Sequence, residues 1–241
     1  MNCGLVIIPT YNEIENIESI IRAVFSLHKS FHILIVDDNS PDKTANKVVE
    51  LQQEFQGKLF IEVRVKKAGL GTAYVHGFKW ALGHNYDYIY EMDADFSHNP
   101  LDLEKLYDAC HFAGADMSIG SRYITGVNVV NWPLSRVLMS YFASVYVRLI
   151  TRMKIRDATA GFICYSRNVL ESINLDKIKF VGYAFQIEMK YRVFSKKFVI
   201  HEVPVIFTDR TKGQSKMSGS IIKEAIFGVL SLRIRKFFNR L

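Results

Sequence analysis

Residues 86–100 read Tyr86-Asp87-Tyr88-Ile89-Tyr90-Glu91-Met92-Asp93-Ala94-Asp95-Phe96-Ser97-His98-Asn99-Pro100: a short apolar run, two carboxylates at i and i+2, then a helix entry. Carboxylates at the end of a buried strand are costly unless a cation or a hydrogen-bond donor satisfies them. Hard divalent ions take such oxygens, and Mg²⁺ keeps the rest of its shell for water and substrate phosphates. The stretch therefore points to a metal-bridged phosphate group. On its own an Asp-x-Asp is ordinary, because Asp is common at strand ends and helix caps.

Outward from this stretch, the amino-terminal half alternates strand and helix. Segments 5–8, 31–36, 59–65 and 86–92 are short, apolar and often β-branched, as strands are. Between them, Ile17, Ile20, Ile21 and Val24 carry helical spacing. That is the pattern of a parallel sheet with helices on its faces. Asn12 with Glu15 predicts a capping pair, Ser40-Pro41 predicts an N-cap followed by N1, and Asn99-Pro100 predicts the same. In open α/β sheets ligands bind at the carboxyl ends of the strands. Pro9-Thr10-Tyr11-Asn12-Glu13, Asp37-Asp38-Asn39-Ser40 and Asp93-Ala94-Asp95 thus belong to one edge. A dinucleotide fold is the rival, but the first strand lacks the G-x-G-x-x-G fingerprint. The Gly-rich loop Lys67-Ala68-Gly69-Leu70-Gly71-Thr72 follows the third strand and is not a Walker A either.

The ordered series adds Gly69-Leu70-Gly71-Thr72-Ala73, Gly120-Ser121-Arg122-Tyr123, Ala160-Gly161-Phe162 and Asp209-Arg210-x-x-Gly213-x-Ser215-Lys216 to those three clusters. Together, over about residues 4–217, it resembles the dolichyl-phosphate mannose synthases, inverting family 2 glycosyltransferases of GT-A fold. The resemblance implies a Rossmann-like, mostly parallel α/β sheet with helices on both faces, plus amphipathic interfacial helices. It also implies a sugar-nucleotide donor, with GDP-mannose expected, a polyprenyl phosphate acceptor, and Mg²⁺ or Mn²⁺. Carried over by position, Pro9, Tyr11, Glu13 and Asp38 hold the nucleoside, while Asp93 and Asp95, flanking Ala94, hold the metal against the diphosphate. Arg210 and Lys216 join the donor side. Ser121, Arg122, Ser135 and Arg136 face the acceptor phosphate, and Asp95, Arg122, Arg136 and Arg210 are the catalytic candidates. Ser97 leaves open whether a third protein ligand or a water completes the metal shell. Related enzymes hold different bases in the same loop, so UDP-glucose or another sugar nucleotide is the alternative donor. A noncatalytic membrane-binding scaffold ranks lower. Taken singly, the bland readings are a surface arginine stacked on its aromatic neighbour and a plain helix-entry turn at 37–40.

A phosphate acceptor changes the chemistry required. A sugar hydroxyl must lose a proton as it attacks, which calls for a carboxylate base. A phosphate monoester, with a second pKa near ~6, arrives mostly as an oxyanion. Gln186-Ile187-Glu188 offers one carboxylate where many hydroxyl-using relatives carry a catalytic Glu-Asp pair. Glu188 is accordingly read as structural or sugar-contacting. His98 is read as a cap or support for the acidic loop.

Two further stripes concern the membrane. Leu134, Val137, Leu138, Tyr141, Phe142, Val145, Tyr146 and Leu149 recur at helical spacing between Arg136, Arg148, Arg152 and Lys154. The interval between Arg136 and Arg148 is too short to span roughly 30 Å of hydrocarbon. Ile222, Ile226, Val229, Leu230, Ile234, Phe237 and Leu241 form a second stripe opposed by Lys223, Arg233, Arg235, Lys236 and Arg240. Such helices pack on a sheet, pair between subunits, or lie in the headgroup layer. A lipid-linked acceptor favours the last. The expected organisation is a catalytic domain over 1–217 and a membrane-apposed amphipathic helix over 218–241, peripheral on the cytoplasmic face, with an integral membrane partner left open. The formal charge of +7 and pI near 9.2 fit nucleotide and anionic lipid, and no nucleic-acid partner is expected. Cys3, Cys110 and Cys164 are read as reduced thiols, and the start of the chain predicts no signal peptide.

Overall fold

Strands β1 (Leu5–Thr10), β2 (His32–Asp37), β3 (Leu59–Val63) and β4 (Tyr88–Glu91) arise near the expected segments, and each is followed by a helix: α1 (Ile17–Phe25), α2 (Thr44–Gln52), α3 (Leu70–Gly83) and α4 (Asp102–His111). The computed structural model describes residues 4–182, 184–209 and 219–238. Beyond α4 run β5 (Met117–Ser121), β6 (Val129–Val130), α5 (Leu134–Thr151), β7 (Ile163–Ser166), α6 (Arg167–Ser172), α7 (Ala184–Ser195), β8 (Ile200–Pro204), β9 (Phe207–Thr208) and α8 (Gly219–Phe237). Seven strands form one sheet in the order β3-β2-β1-β4-β7-β5-β8, while β6 and β9 form a separate parallel pair. Only β7 runs antiparallel, between β4 and β5.

Side-chain alternation sorts the sheet into two cores. Leu5 and Ile7 of β1, with Leu34 and Val36 of β2, face α3 and α7, whereas Val6, Ile8, Ile33 and Ile35 face α1 and α2. Both faces are covered, which is why these strands read as nearly continuous apolar runs. The α1 residues Ile17, Ile20, Ile21 and Val24 are all buried, as their spacing predicts. Gly77 lets α3 lie close on β1, since a Cβ there would come within 2.7 Å of Ile7.

The three predicted helix starts all shift. Asn12 is left-handed, at φ 58°, and α1 begins at Ile17. Glu13, rather than Glu15, organises the entry: its carbonyl accepts from Asn16 and Ile17 N–H, and its side chain accepts from Asn16. Ser40 is not the cap of α2 either, because Asp37 draws both its N–H and its hydroxyl into the loop. The helix begins at Thr44, whose N–H and hydroxyl donate to Asp42 at 3.0 and 2.6 Å. Asn99 is not the N-cap of α4 either: the helix begins at Asp102 with Leu101 at its N-cap, and Asn99 Oδ1 accepts from Leu101 N–H at 3.1 Å in the turn before it.

The two amphipathic stripes differ. Helix α5 packs through Ser144, Val147 and Thr151, leaving Leu134, Leu138, Phe142 and Leu149 exposed. Helix α8 rests on α5 and α7. It buries Val229 and Leu232 in the core but exposes Phe227, Leu230, Ile234 and Phe237. Val229 thus leaves the predicted outward stripe for the core. Ile222 and Ile226 fall where side chains are not described, and Leu241 lies outside the described residues. Among the described residues, no helix is long and apolar enough to cross a membrane. Cys110 and Cys164 are free and buried; Cys3 lies outside the described residues.

Candidate active site

The carboxyl ends of β1, β2 and β4 bring the three predicted clusters to one edge. Thr10 pairs with Asp37 in register, its hydroxyl donating to Asp37 Oδ2 at 2.7 Å. Asp37 is fully buried and also accepts from Ser40, so it knits the first two loops together. Asn12 N–H on Ser40 Oγ and Glu13 N–H on Thr44 Oγ1, both at 3.0 Å, complete the seam. Pro9, Tyr11 and Glu13 are partly exposed beside it. Asp38 is paired with Arg64, whose Nε donates to Oδ1 at 2.6 Å, and Arg64 also reaches Thr72. The Lys67 ammonium stands 4.3 Å from the Tyr11 ring centre. Sequence reading did not single out either cation.

The Gly-rich loop serves packing. Gly71 N–H donates to Val181 O at 2.8 Å, and a Cβ at Gly71 would come within 2.7 Å of the Phe185 ring. Glu188 turns away from the edge to the same segment. It accepts from Lys179 and Phe180 N–H at 2.9 and 3.1 Å and from Arg192 at 2.6 Å, and it is fully buried. Of its two anticipated roles, this geometry supplies the structural one.

In the acidic loop, Asp93 is part-exposed, while Ala94 and Asp95 are buried. Asp95 Oδ1 accepts from Ser97 N–H at 3.1 Å around Phe96, which is left-handed at φ 60°. His98 Nδ1 accepts the Asp93 N–H at 3.1 Å, and the ring stacks on Phe162 at 4.7 Å. Burial pulls the His98 pKa down to about 4 against the opposing pull of Asp95. The imidazole is therefore neutral, with its acceptor nitrogen on the loop. Tyr74 lies fully buried beside Asp93, and burial together with that carboxylate drives its ionisation far up.

Among the described residues, no group of three His, Cys, Asp or Glu side chains could hold a metal, so a closed zinc-type site is not built here. Two carboxylates suit a hard ion that completes its shell with water and phosphate oxygens. Ser97 Oγ, buried without a hydrogen-bond partner, is a further oxygen in the same loop. The donor set fits Mg²⁺ or Mn²⁺.

Opposite lies the arginine side. Arg122 is buried, donating through Nε and Nη2 to Asp157 at 2.7 Å each and through Nη2 to Thr159 at 2.8 Å. Burial alone would raise the Asp157 carboxyl, but the guanidinium holds it below the ordinary range. Glu202 in turn accepts from Asp157 N–H at 2.9 Å. Arg136 lies 4.0 Å from the Trp132 ring centre and donates to Asp209 at 2.8 Å; Arg122 stands 5.4 Å from the same ring. Trp132 Nε1 is buried with no hydrogen-bond partner. Ser121 departs from expectation: it is fully buried, its hydroxyl donates to Glu202 at 2.7 Å, and it does not line the cavity. Ser135 is exposed on the first turn of α5, also outside the cavity wall. Arg210 and Lys216 lie outside the described residues.

A cavity of about 490 Å³ joins the two sides. Asp93, His98, Arg122, Trp132, Arg136 and Gln186 give it a polar end, and Met139, Phe142, Tyr146 and Val147 of α5 give it an apolar wall. Below the polar end, fully buried Glu91 accepts from Tyr165 Oη at 2.9 Å and from Gln186 Nε2. Burial lifts its pKa to about 7 against Gln186 and Lys190. Burial likewise lowers Lys190 to about 8 against Glu91 and Asp157, and its ammonium donates to Ala160 O. Asp157, Trp132, Gln186 and this network carry no recognisable spacing in the sequence.

A mostly parallel α/β sheet whose carboxyl-end loops set paired carboxylates opposite guanidinium groups matches the GT-A fold expected from the sequence. Residues 5–173 match the glycosyl transferase family 2, and the chain belongs to that family. It is 46% identical over 236 residues to polyprenol monophosphomannose synthase of Mycolicibacterium smegmatis, covering 98% of this chain and 89% of that protein. It is 41% identical over 225 residues to undecaprenyl-phosphate mannosyltransferase of Micrococcus luteus, covering 93% and 91% respectively. The fold is shared with glucosyl-3-phosphoglycerate synthase from Mycobacterium tuberculosis, solved with Mn²⁺, uridine diphosphate and phosphoglyceric acid, at a TM-score of 0.72 and 17% identity over 95% of this chain and 78% of that one.

Proposed function

We propose that the chain transfers mannose from a sugar nucleotide, GDP-mannose on the reading of its motifs, to a polyprenyl phosphate with inversion at the anomeric carbon. The observation that carries this is one cavity in which Asp93, Arg122 and Arg136 meet an apolar wall from α5. A phosphate borne on an apolar chain matches both halves. The relatives named for polyprenol and undecaprenyl phosphate support the same reading.

The acceptor phosphate needs no base, since it arrives as an oxyanion. Arg122 and Arg136 hold it, their planes fixed by Asp157, Asp209 and the Trp132 ring. Little reorganisation then remains for the moment of reaction. A phosphate oxygen bonds to the anomeric carbon as the bond to the diphosphate breaks. Asp93 and Asp95 would hold Mg²⁺ or Mn²⁺, which when bound neutralises charge on the leaving diphosphate. Pro9, Tyr11, Glu13 and Asp38 form the nucleoside side, with Arg210 and Lys216 assigned to the donor by motif. The exposed apolar residues of α5 and α8 rest on the cytoplasmic membrane surface, where an integral partner could join them.

The test combines purified protein, Mn²⁺, radiolabelled GDP-mannose or UDP-glucose, and a short polyprenyl phosphate or the free polyprenol. Lipid-extractable label is expected from GDP-mannose and the phosphate alone. Label from UDP-glucose alone would replace the donor, and transfer to the free alcohol would overturn the mechanism. Absence of label from every donor would favour the scaffold reading.

A further inference from the structure

Gln186 sits in the first turn of α7, in the cavity wall, and is 3% exposed. Its Nε2 donates to Glu91 Oε2, and its Oε1 is buried without a hydrogen-bond partner. A buried amide oxygen left unpaired is destabilising, and native proteins leave few of them. The amide cannot relieve this by turning over. Turning it over would leave Nε2 unpaired in place of Oε1, and against the carboxylate form of Glu91, already the acceptor for Tyr165 Oη at 2.9 Å, it would set two acceptor oxygens face to face. The main chain is held as well, since the Gln186 carbonyl accepts from Lys190 Nζ at 3.3 Å. Gly161, also in the wall, presents only backbone to the amide, and a Cβ there would stand 3.6 Å from Nε2.

The orphan is an acceptor, and that selects its partner. Diphosphate and phosphate oxygens at neutral pH are acceptors too, and a polyprenyl chain has no polar hydrogen. The transferred sugar carries several hydroxyls, each a donor. We propose that Gln186 Oε1 accepts a hydrogen bond from one hydroxyl of the donor's sugar, so that Gln186 reads the sugar while Glu91 orients its amide. This inference rests on the sugar-nucleotide reading above, but not on the identity of the acceptor.

The experiment measures equilibrium binding of GDP-mannose and of GDP, with Mn²⁺ and without acceptor, to the wild type, Gln186→Met and Gln186→Asn. Expected is an approximately tenfold loss for GDP-mannose in both variants with GDP affinity unchanged, the size of one lost hydrogen bond. Unchanged GDP affinity also reports an intact nucleotide edge. Monodeoxy GDP-mannose analogues then locate the contact: one analogue should bind the wild type about tenfold more weakly yet bind Gln186→Met no worse than GDP-mannose does. Equal losses for GDP and GDP-mannose would make Gln186 a structural residue and overturn the proposal. So would a wild type that binds every deoxy analogue as well as the parent, a measurement that needs no folded variant. A wild type that binds GDP-mannose but transfers nothing to polyprenyl phosphate would defeat the proposed function while leaving this contact testable. A wild type that binds neither nucleotide would defeat both.

Discussion

Arg122 and Asp157 form a two-bond fork, Nε to Oδ2 and Nη2 to Oδ1 at 2.7 Å each, and Asp157 Oδ2 also accepts the Arg122 main-chain N–H at 3.0 Å. The carboxylate therefore fixes both ends of the arginine. Removing it should cost about 3–5 kcal/mol, because a buried guanidinium is left uncompensated. Asp157→Ala is expected to show this loss in urea unfolding. Because the folded pKa of Asp157 is depressed, its stabilisation is present above the unfolded value of about 3.9 and fades as pH falls through the lower folded value. Asp157→Asn should accordingly be less stable than the wild type at neutral pH, with the gap narrowing below about pH 4. A constant gap across that range would assign the effect to packing.

Asp95→Asn should abolish transfer while leaving the unfolding midpoint close to that of the wild type. Chelation of the wild type should have the same effect on transfer, reversed by Mn²⁺ or Mg²⁺. Full activity in excess EDTA would remove the metal from the mechanism.

Arg136→Ala removes one charge-assisted contact, worth on the order of 1.5–3 kcal/mol. It should raise KM for the polyprenyl phosphate far more than KM for the sugar nucleotide. Equal effects on both substrates would move Arg136 to the diphosphate or to the fold.

Leu149 on α5 and Phe237 on α8 are 75% and 83% exposed. Changing both to Ser should alter folding stability by about 0.5 kcal/mol or less each, as for most surface sites, while adsorption to anionic vesicles falls in a flotation assay. Salt should weaken adsorption of the wild type only in part, since apolar contact is not screened. Undiminished adsorption of the double variant would assign membrane contact to another surface.

The carboxyl-end loops were legible because strands buried on both faces leave long β-branched runs, and because Asp and Pro mark where those runs stop. Helix entries were less so: whether Ser40 caps a helix depends on Asp37, whose side chain takes both of its donors. Asp157 escaped notice because it lies 35 residues from Arg122, outside any helix or strand. In α8, spacing showed that apolar positions recur, but not that Val229 would face the core while Leu230 faces out. In the sequence Gln186 is distinguished only as the neighbour of Glu188, and its importance comes from an atom left unpaired in the folded chain.

The reversed strand β7 sits between β4 and β5, with Ile119 of β5 opposite Ile163. The excursion over residues 122–162, which carries Trp132, Arg136 and the apolar wall of α5, thus leaves and re-enters the sheet on adjacent strands, about 4.8 Å apart. Its ends stay anchored whatever lies between them, and closing a longer loop costs little more than closing a short one. On the proposed reading the acceptor side is confined to this excursion and the loops of β1, β2 and β4 lie outside it, so its exposed apolar residues can vary without disturbing those loops, whereas the buried Val147 and Thr151 tie α5 to the common core.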